Sequence, residues 1–176
     1  MSTAIQIKER LLAFEASRWV GTKEIGGDNR GQIVEMFQKA VDGKAQGEPW
    51  CLAFAQFCIS IADQCFDAIQ AASGSQSPLK KTEHVLTLWK SAPILMQCEP
   101  KPGCLMLWNH WKDGVPTSLG HVGIVIAVNG DEIITVEGNT SGGPGVTREG
   151  DGVFRRVRSQ VGSGDMRVLG FLSVWI

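Results

Sequence analysis

Glu48-Pro49-Trp50-Cys51-Leu52-Ala53-Phe54-Ala55, continued by Gln56-Phe57-Cys58-Ile59 as far as Phe66, is the stretch on which the fold turns. Pro49 has no N–H to give to a helix interior, so it punctuates the chain, and the apolar run behind it is too long for an ordinary strand. The run reads as a buried helix that begins at Cys51. Within it Cys51, Ala55, Cys58 and Ala62 recur at three- and four-residue spacing, a stripe of small side chains that would let a sheet come close.

Upstream, Ile7, Leu11 and Phe14 fall at helical spacing among charged residues, so residues 3–20 read as an amphipathic helix with those three inward, ending near Gly21. Gly26-Gly27-Asp28-Asn29-Arg30-Gly31 is turn chemistry, and Ile33, Val34, Phe37 and Val41 form a second helix closed by Asp42-Gly43. Downstream come a polar linker over 71–81 and a short helix over 82–90. After Pro100-Lys101-Pro102-Gly103 the pattern changes to short β-rich segments at 104–108, 121–128, 132–137, 153–158 and 168–175, separated by Gly, Pro, Asn or Asp. Helices first and strands afterwards predict an α+β fold, N-terminal helices packed on a mostly antiparallel sheet, as one domain over residues 1–176. The glycine-rich loop 138–152 is placed to carry recognition.

Charge narrows the choice of partner. Seventeen Lys and Arg stand against 18 Asp and Glu, so no basic field exists to neutralise phosphates, and nucleic acid is not an expected partner. No run is read as approaching the roughly 20 apolar residues of a membrane span, and no apolar stretch of signal-peptide type opens the chain. The expectation is a monomer, made in the cytoplasm, with no membrane insertion. Five cysteines without a CxxC pair suggest neither a disulfide framework nor a zinc ribbon.

A cysteine at the start of a helix faces unpaired backbone N–H groups and the positive end of the helix dipole, which favours a thiolate. Cys51 holds that position; Cys58 and Cys65, one and two heptads on, read as small core residues. A thiol nucleophile needs a base, and the histidines are His84, His110 and His121. His84 reads as a solvated helix residue and His110 as a loop residue between Trp108 and Trp111. His121 starts a strand, on the face shared with Gly123, where the missing side chain leaves room for a neighbour.

The imidazole must be oriented by a third group, and the next strand ends Val136-Glu137-Gly138-Asn139. A two-residue Asn129-Gly130 turn would pair Val128 with Asp131 and send Glu137 to the far face. A three-residue loop over 128–130, with Gly130 left-handed, pairs Ala127 with Asp131 and His121 with Glu137; this register is the one expected. Trp50, Trp108, Trp111 and the 138–152 loop are candidates for the substrate groove, Trp50 foremost.

Taken in order, Glu48-Pro49-Trp50-Cys51, Pro102-Gly103, Gly120-His121-Val122-Gly123 and Glu137-Gly138-Asn139-Thr140-Ser141 resemble the CHAP family of peptidoglycan hydrolases, from about Glu24 to the C-terminal strand. The resemblance implies a papain-like fold related to the NlpC-type hydrolases. It implies Cys51 as nucleophile, His121 as base, Glu137 as the residue that orients the histidine, and Asn139 as a polar residue completing the site. The implied reaction is hydrolysis of a peptidoglycan amide, either between muramic acid and the stem peptide or within the peptide and its cross-bridge. Two departures stand out: family members often carry Ala after the cysteine and Asp after Pro-Gly, where this chain has Leu52 and Cys104. Residues 42–48 offer only two carboxylates, short of what calcium needs, so no metal and no cofactor are expected. Delivery to the wall would use a phage lysis pore or tail, or a contact-dependent secretion machine. The competing readings are a wall-binding or assembly module without turnover, and a cysteine-dependent amidase toxin acting on protein.

Overall fold

The computed structural model describes residues 3–70, 76–143 and 150–176. Among the described residues, α1 (Thr3–Arg18), α2 (Gln32–Asp42), α3 (Cys51–Gln70), α4 (Val85–Ser91) and a short 3-10 turn (Ile94–Met96) precede the sheet. The strands are β1 (Gln97–Cys98), β2 (Leu105–Lys112), β3 (Val115–Asn129), β4 (Glu132–Thr140), β5 (Gly152–Ser159) and β6 (Met166–Leu172). They form one antiparallel sheet in the order β1-β6-β2-β3-β4-β5. The α+β architecture anticipated from the order of patterns is the one observed.

Alternation along the strands divides the apolar residues between two faces. Leu105, Leu107, Val122, Ile124, Val136 and Leu172 join the helices in the main core. Cys104, Met106, Trp108, Val125, Ile133, Met166 and Phe171 build a second cluster on the opposite face. The helix α3 packs against α1, α2, β3 and β4 within the main core. It is long and apolar enough by length and composition to cross a membrane, contrary to the sequence expectation, but 61% of that stretch is buried inside the protein. The apolar character is that of a central core helix.

The helix α1 departs from its expected face. Phe14 is exposed, and the buried stripe is Lys8, Glu9, Leu12, Glu15 and Ala16. Charged residues can take inward positions because each finds a partner. Lys8 Nζ bonds Asp63 Oδ1 at 2.6 Å, Lys101 bonds Glu9, and Glu15 accepts from Trp19 and Arg18, each at 2.9 Å. Hydrophobic periodicity could not disclose a helix seated partly through ion pairs. Likewise His110 lies on β2, not in a loop, with Nδ1 3.3 Å from Thr117 Oγ1.

The β3–β4 hairpin follows neither register considered from the sequence. Asn129 pairs with Glu132, so the turn is Gly130-Asp131, with Gly130 left-handed at φ 62. Carried on without interruption, that register would set Gly123 opposite Gly138 and send Glu137 to the face away from His121. A bulge between Val125 and Ala127 shifts β3 by one residue, so Val125 meets Thr135 and Ile124 meets Val136. Continued from there, Gly123 stands opposite Glu137, on the same face as His121. One extra residue thus puts Glu137 on the face that carries His121.

Candidate active site

The helix α3 begins at Cys51 because the preceding residues are tied down individually. Gln38 of α2 donates to the Glu48 carbonyl at 2.8 Å, and the Trp50 carbonyl accepts from Phe54 N–H at 2.9 Å, closing the first turn. The β3–β4 ladder runs only as far as Ile124–Val136, and the start of α3 enters where the strands part. Gly138 permits the approach: a Cβ there would lie 2.7 Å from Phe54 Cβ and 2.9 Å from the Trp50 ring.

Here Cys51, His121 and Glu137 come together. The Cys51 thiol is near enough to the His121 ring to raise its pKa, while Nδ1 of that ring is buried without a hydrogen-bond partner among the described residues. His121 Nε2 is 3.0 Å from Glu137 Oε2. Since Nε2 is committed to the carboxylate, Nδ1 is the ring nitrogen left for the sulfur. Gly123 makes the His–Glu contact feasible: Glu137 leans diagonally across it, and a Cβ at Gly123 would stand 2.7 Å from Glu137 Cγ.

The carboxylate is itself fixed from behind. Thr135 Oγ1 donates to Oε1 at 2.5 Å, Arg158 Nε to Oε1 at 2.7 Å and Arg158 Nη2 to Oε2 at 2.5 Å. Neither residue was singled out from the sequence. The available signal was positional: in the alternation of β5, Arg158 falls on the sheet face that also carries Glu137.

Both partners of the His121–Glu137 pair are fully buried. Burial opposes charge on Glu137, yet the Arg158 and His121 contacts outweigh it and hold the carboxyl down at about 2. Burial likewise opposes charge on His121, but hydrogen bonds and charge from Cys51 and Glu137 raise the imidazole to about 9. The ring is therefore cationic near neutrality, as a base paired with a thiolate would be. Trp108 packs beside it, ring centroids 5.7 Å apart.

Asn139, which the resemblance implies as a polar residue completing the site, has φ 51 and sits beside the start of α3. With its amide turned to satisfy both neighbours, it accepts from Trp50 N–H at 3.2 Å and donates to the Gly150 carbonyl at 2.9 Å. It anchors the entry to α3 and does not bond the imidazole. Trp50 requires a correction: it is fully buried, stacked on Phe37, with Nε1 donating to Glu24 Oε1 at 2.8 Å. Its size and apolar body place it in the core, not in a groove.

The opening that reaches Cys51 is a cleft of about 260 Å³ lined by Glu48, Pro49, Glu83, His84, Val85, Ser118, Leu119 and Gly120. Desolvation and the nearby Glu48 and Asp42 raise the pKa of Glu83 at its rim. None of the three tryptophans proposed for the groove lines this cleft, and residues 144–149 of the expected recognition loop lie outside the described residues. His84 is exposed, as expected, and also lines the cleft. Leu52 and Cys104, the two departures from the family pattern, are both buried away from it.

The CHAP domain profile matches residues 43–139, more than half of the chain, and its span takes in Cys51, His121, Glu137 and Asn139. The chain belongs to the CHAP family. CHAP domains are generally hydrolases, of the cysteine amidase type associated with peptidoglycan. Among solved structures, the CHAP chain is similar to Ly7917, with a TM-score of 0.50 and 15% identity over 94% of this chain. At that identity the likeness concerns the fold, which is papain-like. The match spans 62% of the Ly7917 chain. No curated protein matches the sequence.

Proposed function

We propose that this CHAP domain hydrolyses an amide of peptidoglycan by nucleophilic catalysis at Cys51. The reading is carried by one observation: a cysteine at a helix start, at the end of a cleft, lies beside a buried imidazole that contacts a buried carboxylate. His121, raised to about 9, holds a proton at rest, and the reaction begins from the ionised form of the thiol beside it. The sulfur attacks the amide carbonyl, and the oxyanion meets the Cys51 backbone N–H in the first turn of α3, which has no acceptor within the helix. His121 passes its proton to the departing amine, and water, deprotonated by the same ring, then releases the acyl group from the thioester. Glu137 keeps the ring oriented throughout; Asn139 and Trp50 act one step back, by fixing the start of the helix.

The scissile bond joins muramic acid to the stem peptide, or lies within the peptide or its cross-bridge, and the site of action is the cell wall. Purified sacculi digested with the protein should yield muropeptides with new amine and carboxylate ends, located by mass spectrometry. Cys51→Ala, folded as the parent, should yield none. Cleavage by that variant would refute the assignment. Binding of sacculi by the parent without any new ends would favour a binding module, and cleavage of protein amides alone would favour a toxin.

A further inference from the structure

Arg158 does more than pair two strands. It stands opposite Ile133 on β4, so its side chain must run back along the sheet past Thr135 to reach Glu137. At the end of that path it bonds both carboxylate oxygens, and Thr135 takes a further site on Oε1. The oxygen that faces His121 is therefore one of two held by a planar fork, and the carboxylate cannot turn without breaking bonds to a buried cation. Arg158 is itself almost entirely buried, its guanidinium 5.9 Å from the Trp108 ring that also packs on His121.

Charge bookkeeping through the proposed reaction gives this arrangement a purpose. While Cys51 is ionised, His121 is the countercharge of the thiolate; once the sulfur is acylated and the ring has given up its proton, no charge remains on either. Glu137 would then be an uncompensated anion in the interior, an expensive state. With Arg158 in place it keeps a partner in both states.

We propose that Arg158 is a positioning residue of the site: it holds Glu137 as a fixed anion through the cycle, and thereby holds the His121 ring with Nδ1 toward the sulfur. The inference rests on the hydrolase reading for its cycle argument. The charged groups around the pair are Cys51 from α3, His121 from β3, and Arg156 and Arg158 from β5, with Glu48, Glu83 and His84 at the cleft.

The test compares Arg158→Gln with Arg158→Lys in the full chain, by histidine-labelled NMR and by the pH profile of hydrolysis. In Arg158→Gln the Nε2–H signal of His121 should broaden or vanish, and the acid limb of kcat/KM should move up by about one pH unit. Its kcat should fall about tenfold or more while KM stays within about twofold. Arg158→Lys keeps the charge but grips one oxygen, so its limb should stay near that of the parent while kcat still drops severalfold. An Arg158→Gln protein that folds with parental imidazole signals and pH limb would overturn the proposal. So would identical behaviour of the two variants. If Arg158→Gln does not fold, parental kcat in Arg158→Lys would be decisive against it. The NMR comparison needs no turnover, so an unreactive parent would defeat the hydrolase reading while leaving the positioning role to be decided by the ring signals.

Discussion

Gly123→Ala adds a single methyl group and should disable the site from the side where no reacting atom lies. The backbone at Gly123 has no left-handed requirement, so alanine meets no conformational penalty there. The obstacle is space: the new Cβ would stand 2.7 Å from Glu137 Cγ, 3.1 Å from Thr135 Cβ and 3.4 Å from Glu137 Cδ. Carbon atoms prefer about 3.5–4.0 Å, so the closest overlap is about 1 Å. Glu137 cannot simply swing aside, because its oxygens are held by Thr135, Arg158 and His121. Overpacking of this kind costs about 1–3 kcal/mol. Relief by tilting the carboxylate would spoil its 3.0 Å contact with His121, removing a general acid–base contribution of about 10²–10⁴ in rate. The assay is a double-mutant cycle with Glu137→Ala, followed by urea unfolding, sacculus hydrolysis and the His121 titration. In the Glu137→Ala background the obstructing Cγ is gone, so Gly123→Ala should cost less than about 0.5 kcal/mol. Equal costs in both backgrounds, or a Gly123→Ala protein with unchanged His121 titration and full activity, would refute the reasoning.

Other perturbations test the remaining parts. Glu137, held at about 2, contributes stability that is complete above its ordinary range near 4.5 and is lost as pH falls toward about 2. His121, raised to about 9, contributes stability that is complete below its ordinary value of 6.5 and is lost as pH rises through about 9. The melting temperature should therefore peak between about pH 4.5 and 6.5, and Glu137→Gln should flatten the acid side; an unchanged acid side would count against the buried pair. Thiol reagents at neutral pH should modify Cys98 ahead of exposed Cys65. A hydrogen bond from Cys104 first, then Ser173 and the charge of Lys101, bring Cys98 down to about 7 against its partial burial. Cys58 and Cys104, whose burial pushes them up, should react last, and early labelling of either by peptide mapping would contradict the packing. Asp63→Ala removes the carboxylate that pairs with buried Lys8 and the acceptor of Trp175 Nε1 and Ser77 N–H, so urea denaturation should show a loss of about 3–5 kcal/mol.

The proposed nucleophile was legible because its signal is local: Pro49 stops one segment, the apolar run behind it is too long for a strand, and the cysteine falls on the first residue of the helix. His121 and Glu137 were legible because Gly123 and the hairpin place them on adjacent strands. Which face Glu137 takes was not. The turn is the two-residue Gly130-Asp131 and not the expected loop over 128–130, a bulge after Val125 compensated, and a parity of this sort depends on how two strands settle against their neighbours. Trp50 was misread for a related reason, since an aromatic side chain looks alike in a sequence whether it lines a groove or fills a core.

By itself the sequence determined the order of helices and strands, the α+β class, and which cysteine and histidine belong together, because each follows from short-range periodicity, turn chemistry and helix-end electrostatics. Only the tertiary structure decided that α1 seats itself through buried ion pairs, that Arg158 and Thr135 stand behind Glu137, and that the way in to Cys51 runs between Glu48, Glu83 and Ser118. Those features join residues far apart in the chain, and a long-range pairing of charges or a shift of strand register leaves no periodic trace in the residues that make it.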